Sequence, residues 1–193
     1  MTGQPGATRE TLRLFLAVVP SPEAQAAAAR ACEGLRSPGD RASWVKRENL
    51  HYTLRFLGEL GADGARRATE AAREAASDHA PFEAALGAFG CFPNVRNARV
   101  IWIGLAEGEA PMRALAASLE AALQRRGFDR ADKPFAPHLT VARQRVPADW
   151  TEKLAGAPAV EARFAVDRLV LVKSTLSPRG SIYEVAGEAK LGE

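Results

Sequence analysis

Two histidines each stand two places before a threonine: His51 and Thr53 in "HYTL", His138 and Thr140 in "HLTV". The chain has 193 residues and three histidines, and two of those three head the same kind of tetrapeptide. The copies lie 87 positions apart, close to half the chain. A lone histidine in an apolar run is usually a core residue with its ring nitrogens satisfied. That reading covers either copy but not the recurrence. In an extended strand side chains alternate faces, so His51 shares a face with Thr53 and His138 with Thr140. Tyr52, Leu54, Leu139 and Val141 then face the opposite layer. If a two-fold relates the strands, two imidazoles and two hydroxyls converge across a cleft. Imidazole titrates near neutrality, so one ring can take a proton while the other gives one. The hydroxyls can donate to phosphoryl oxygens. A paired acid and base suits phosphodiester transfer beside a ribose hydroxyl, each proton-transfer step contributing ~100- to 10,000-fold.

Two arginines follow the motifs. Arg55, two places past Thr53, falls on the catalytic face of a regular strand, as a second phosphate contact or a surface charge. Arg143, three places past Thr140, falls on the opposite face and reaches a phosphate only if the strand ends or twists there.

The flanks repeat as well. "LRLFLAVVP" (12–20) predicts a buried strand. The segment 21–36 predicts a helix with Ser21 as N-cap and Pro22 in its first turn, and the first motif strand follows. "ARVIWIGLAEG" (98–108), a helix over 110–127 ended by Gly127, and the second motif strand repeat that order. Helices are expected over 63–80 and 147–157. Each is followed by a strand pair: "PFEAALGAFGCFP" with "ARVIWIGL", then "ARFAVDRLVLVKSTL" with "GSIYEVAGE". This count matches Arg99–Leu105 with Gly180–Ala186, so the second half borrows the opening strand. Two pseudo-equivalent lobes that share strands follow, in an α+β domain over residues 11–193, with residues 1–10 as a disordered tail.

Composition narrows the functions. No apolar run approaches the ~18 residues of a membrane span, and the N-terminus has no secretory pattern. Cys32 and Cys91 are far apart, Cys32 on a helix and Cys91 near a strand end, which fits a reduced cytoplasmic protein. Net charge is +3, and 21 of the 26 basic residues are arginine, whose planar fork matches phosphate oxygens. There is no Gly-rich phosphate loop and no dinucleotide fingerprint. Neither motif carries a carboxylate or cysteine, whereas a catalytic zinc takes three protein ligands, so neither metal nor cofactor is expected.

The paired "HYTL" and "HLTV" resemble the two His-x-Thr-x motifs of the 2H phosphoesterase superfamily. Within it, "RLFLAV", "W…NLHYTLRFLGE", "PHLTVAR" and "STLSPRGSIYEV" resemble the bacterial RNA 2′,3′-cyclic phosphodiesterases, also called 2′-5′ RNA ligases, over about residues 12–186. The resemblance implies a bilobal fold in which two antiparallel sheets form a V-shaped cleft with helices outside. It implies hydrolysis of a terminal 2′,3′-cyclic phosphate on RNA to a 2′-phosphate. ATP-independent, reversible 2′-5′ joining goes with it. By motif order His51 is the acid that protonates the departing 3′ oxygen and His138 the base that activates water. Thr53 and Thr140 hold phosphate oxygens, and Arg143 contacts phosphate or ribose.

Phe15, in the first strand, is core packing or a stacking platform for the terminal base. Tyr183 is a sheet aromatic or a site residue. Trp44 is core or cleft rim, and His79 a surface or capping residue. The expected ligand is RNA with a 2′,3′-cyclic phosphate end or a cyclic nucleotide, bound by a monomer with no membrane partner. Two rival functions stand beside this one, the first of which would use the same four residues. One is a 2H enzyme acting on small cyclic nucleotides, such as ADP-ribose 1″,2″-cyclic phosphate, or on 2′-5′ oligonucleotides. The other is an RNA-end or nucleotide-binding module with little catalysis.

Overall fold

A computed structural model describes residues 11–193 except 38, 40 and 179; the tail expected over residues 1–10 lies outside the described residues. The chain runs β1 (Leu12–Val18), α1 (Pro22–Glu33), β2 (Ala42–Trp44), a 3₁₀ turn (Arg47–Asn49), β3 (Tyr52–Leu60), α2 (Ala62–Ser77) and β4 (Phe82–Phe92). It continues with β5 (Ala98–Glu107), α3 (Glu109–Arg125), β6 (Leu139–Ala148), α4 (Thr151–Ala155), β7 (Arg163–Val166), β8 (Arg168–Ser177) and β9 (Gly180–Lys190).

The helices form for local reasons. Ser21 accepts the Ala24 backbone N–H at 3.3 Å, and Pro22 opens α1. In α2, Ala68, Ala71, Ala72, Ala75 and Ala76 recur at helical spacing and are all buried. In α3 the buried stripe is Met112, Leu115, Leu119 and Leu123. Gly127, at φ 75°, takes the left-handed turn that ends α3, and the Phe128 amide returns to the Leu123 carbonyl at 3.1 Å. Truncating any of these α3 leucines to alanine removes contacts worth about 2–5 kcal/mol.

The strands pair in the order β7-β4-β5-β6-β3-β1-β8-β9, with β2 beside β6, every pairing antiparallel. The two sheets expected are the two halves of one curled sheet. They join through a single residue pair, Tyr52 with Leu139, one step past each histidine. Lobe one is β3-β1-β8-β9 and lobe two is β6-β5-β4-β7. Strands are shared as expected, since β1 lies between β3 and β8 and so joins the first motif strand to the C-terminal β8 and β9. The correspondence differs, however: β5 occupies in lobe two the place that β1 holds in lobe one, so Arg99–Leu105 matches the opening strand and not Gly180–Ala186.

Two other expectations shift. Residues 147–157 are not all helix: β6 runs to Ala148, paired with Ala98, and α4 keeps only Thr151–Ala155. The stretch 163–177 breaks at Asp167, sending β7 to β4 and β8 to β1. The main core lies on one face of the sheet, where α2 packs on β8, β9 and α3, and α1 packs on β6. A small cluster of Phe15, Ala17, Val170 and Val172, flanked by Tyr183, lies apart from it. Cys32 and Cys91 are both buried with free thiols, which burial pushes up to about 12 and about 11. Among the described residues no helix is long and apolar enough to cross a membrane.

Candidate active site

His51 and His138 stand immediately before β3 and β6, at the seam of the lobes. Each is held the same way. His51 Nδ1 lies 2.7 Å from the Asn49 carbonyl oxygen, and His138 Nδ1 lies 2.7 Å from that of Ala136. A carbonyl can only accept, so each Nδ1 carries the hydrogen and donates it. That assignment leaves each Nε2 with a lone pair when the ring is neutral and an N–H when it is charged. Asn49 is itself fixed, its side-chain amide donating to the Ser181 carbonyl at 3.0 Å, which ties the 3₁₀ turn to β9. Burial lowers both imidazoles below their ordinary pKa; the carbonyl bonds oppose this, and the positive charge of Arg143 adds to it at both rings. A charge on His138 lowers His51 further, so the two rings sense each other across the seam.

Each threonine shares its strand with a β-bulge. In β6, Ile101 pairs with Ala142 but Trp102 with Thr140, which leaves Val141 extra. Burial follows: Leu139 in, Thr140 half-buried, Val141 and Ala142 both in, Arg143 out. A bulge shifts the alternation by one. Thr140 and Arg143, three apart, therefore line the same cleft, the condition under which Arg143 is useful. In β3, Leu16 pairs with Arg55 but Ala17 with Thr53, which leaves Leu54 extra. There the effect is opposite for the neighbouring arginine. Arg55 leaves the catalytic face, and its guanidinium donates to the Asp129 carbonyl and lies 3.7 Å from Glu120 of α3. Of the two readings of Arg55, phosphate contact or surface charge, this placement off the cleft wall favours a charge paired outside it. Phe56, three past Thr53, takes the cleft position instead.

The cleft encloses about 460 Å³. Its walls include His51, Thr53, Phe15, Phe56 and Tyr183 from lobe one, and Thr140 and Arg143 from lobe two. His138 stands edge-on to Phe92, centroids 5.1 Å apart. Phe15 is only 2% exposed; its ring stacks on His51 at 4.8 Å and meets Tyr183 edge-on at 5.2 Å. Tyr183 also meets the His51 ring edge-on at 5.2 Å. Both aromatics thus back the imidazole, and Phe15 has little free face to offer a base. Trp44 belongs to a structural cluster, 6.0 Å from Trp150 with Arg36 over its ring. His79 is half-buried beyond α2 and bonds Ser118 of α3 at 2.8 Å. Among the described residues no group of three His, Cys, Asp or Glu is placed to hold a metal ion.

Sequence reasoning missed Phe56, Asn49, Phe92 and Arg13, the last also on the cleft wall. The signal for Phe56 was its position three past Thr53, matching Arg143 three past Thr140.

A fold and site of this kind define a two-lobed phosphoesterase, and the comparisons agree. Residues 11–177 match the family model of the 2′-5′ RNA ligase superfamily, and the chain belongs to that family. A Methanothermobacter thermautotrophicus protein named RNA 2′,3′-cyclic phosphodiesterase is 33% identical over 176 residues, covering 89% of this chain and 95% of the relative. One of the same name from Thermotoga maritima is 33% identical over 182 residues, covering 93% and 95%. The crystal structure of TT0787 of Thermus thermophilus superposes with a TM-score of 0.80 at 32% identity, over 94% of this chain and 98% of that one. Escherichia coli LigT, solved with 3′-AMP, superposes with a TM-score of 0.81 over 95% and 100%; at 24% identity it speaks for the fold alone.

Proposed function

We propose that this chain hydrolyses the 2′,3′-cyclic phosphate at an RNA end to a 2′-phosphate, with His51 and His138 as its acid and base and no metal in the reaction. The observation that carries the reading is the matched pair of imidazoles. Both are pinned through Nδ1 to a backbone carbonyl two residues earlier, which leaves both Nε2 atoms available for proton transfer. The relatives named RNA 2′,3′-cyclic phosphodiesterase supply the substrate class.

Neutral His138 accepts a proton at Nε2 from water, and the water oxygen attacks phosphorus. The P–O3′ bond breaks, and charged His51 gives its Nε2 proton to O3′. The products are a 2′-phosphate and a 3′-hydroxyl. Thr53 and Thr140 donate to the nonbridging oxygens, and the Arg143 fork holds the charge that collects there. Motif order in the family assigns acid and base. A 5′-hydroxyl replacing water gives a 2′-5′ bond by the same exchange, without ATP, and the reverse reaction swaps the two histidine roles. Action as a monomer in a reducing cytoplasm completes the reading; the buried free thiols of Cys32 and Cys91 suit such a compartment.

The test is to incubate the protein with an RNA oligomer ending in a 2′,3′-cyclic phosphate, with chelator and without ATP. A 2′-phosphate product is expected. A 3′-phosphate, or an unchanged oligomer beside rapid turnover of a cyclic mononucleotide, would overturn the reading.

A further inference from the structure

The carbonyl clamp on the two imidazoles repeats between the lobes, but the aromatic brace does not. Around His51 the brace is Phe15 and Tyr183, from β1 and β9. Around His138 it is Phe92, at the end of β4, with ring centroids 5.1 Å apart and planes at 86°.

Strand register puts Phe92 there. One row of lobe two runs Gly90, Trp102, Thr140 across β4, β5 and β6. Side chains alternate along a strand, so Phe92, two past Gly90, shares the face of Thr140 and of His138, two before it. Trp102 fills the row. Its indole lies over Gly90, where a Cβ would overlap the benzene half of the ring system, and a Cβ on Gly104 would stand 3.3 Å from it. Phe92 rests against that indole, centroids 5.2 Å apart and tilted 38°, and meets His138 edge-on.

This packing carries two costs. A glycine inside a strand has no side chain to pack. The Trp102 indole N–H is buried, with no hydrogen-bond partner among the described residues. Local rules of this kind are broken chiefly at functional sites, and the functional group that this packing reaches is the His138 ring. The bond from Nδ1 to the Ala136 carbonyl fixes one atom of that ring and leaves the ring to swing about it. Proton transfer at Nε2 needs the ring held within about 0.5 Å and 10–20°. A phenyl ring standing edge-on to the imidazole blocks the swing.

Resting on the reading of the site given above, we infer that Phe92 is a positioning residue for His138. It sets the angle of the imidazole and so the aim of Nε2, and Trp102, seated on Gly90, holds Phe92 in place.

The test compares wild type with Phe92→Ala, Phe92→Leu and Phe92→Tyr on an RNA oligomer ending in a 2′,3′-cyclic phosphate. The alanine and leucine variants are expected to lower kcat about 10- to 100-fold at a near wild-type KM, and the tyrosine variant to restore it. Phe92→Leu keeps apolar bulk, so it decides the matter if the alanine variant does not fold. Nitrogen NMR of histidine-labelled protein, with His138→Ala assigning the signal, gives a readout without turnover. Wild type is expected to show neutral His138 as the Nδ1–H tautomer, and Phe92→Leu to show it averaging with the Nε2–H form. A wild-type kcat in Phe92→Leu, a loss confined to KM, or a slow variant with an unchanged His138 tautomer would overturn the assignment. If wild type leaves the oligomer unchanged, the phosphodiesterase reading falls, and the tautomer comparison still decides the role of Phe92.

Discussion

Each motif imidazole is governed by two neighbours, the carbonyl at its Nδ1 and the arginine beside both rings. The carbonyl fixes the tautomer. Burial and Arg143 hold the folded pKa of both rings below the ordinary value near 6.5. Under the proposed mechanism the free enzyme needs one ring neutral and one charged, a state most populated between the two macroscopic pKa values of the pair. Both values lie on the acid side, so kcat/KM is expected to peak below about 6.5, since that profile reports the free enzyme. A bound phosphate brings negative charge that favours the charged imidazole, so the kcat profile should sit at higher pH than the kcat/KM profile. A pH series of both constants checks this, and a kcat/KM optimum on the alkaline side of neutrality would contradict it. The four motif residues were legible because their types and spacing repeat. The ring support was not: Asn49 and Ala136 act through backbone oxygens, which carry no residue signature.

At the scale of the strand, two bulges decide which side chains face the cleft. The extra residue at Leu54 sends Arg55 to α3, and the extra residue at Val141 brings Arg143 into the cleft. The two arginines should therefore fail differently. Arg143→Ala is expected to raise KM and lower kcat, and Arg143→Lys to rescue only part, because a point charge replaces a fork. Arg55→Ala is expected to keep the kinetics and lower Tm by a few degrees, about 2–4 °C for each kcal/mol lost in a chain of this size. Steady-state kinetics beside thermal melts separate the two; an Arg55→Ala enzyme with normal Tm and a poor KM would place Arg55 back in the site. Strict alternation misassigned Arg55 because a bulge depends on what the neighbouring strand offers, and β1 and β5 lie far away in sequence. The end of β6 was hidden for the same reason: Ala148 is a strand residue because Ala98 pairs with it.

Across the whole molecule, the site lies where the two halves of the sheet join through a single strand pairing, Tyr52 with Leu139. The repeat of strand, helix, motif strand was legible at half-chain spacing, and it sufficed for two lobes that share strands. Which strand answers to which was not legible, since that depends on the crossing of β8 and β9 back to β1. Tyr52, fully buried at the seam, stacks across it on Phe164 of β7 at 6.0 Å. Its hydroxyl is buried, with no hydrogen-bond partner among the described residues. Tyr52→Phe keeps the ring and removes an unsatisfied group, so stability should rise by roughly 1 kcal/mol with catalysis unchanged; a denaturant titration that shows a loss of that size would reveal a partner for the hydroxyl. The central claim is that both lobes contribute one histidine to a single proton-transfer pair. The most direct measurement is the single-turnover rate of wild type, His51→Ala and His138→Ala on an RNA oligomer ending in a 2′,3′-cyclic phosphate. Each variant is expected to lose at least ~100-fold while melting as wild type does. A folded variant of either kind that kept a near wild-type rate would contradict the paired mechanism.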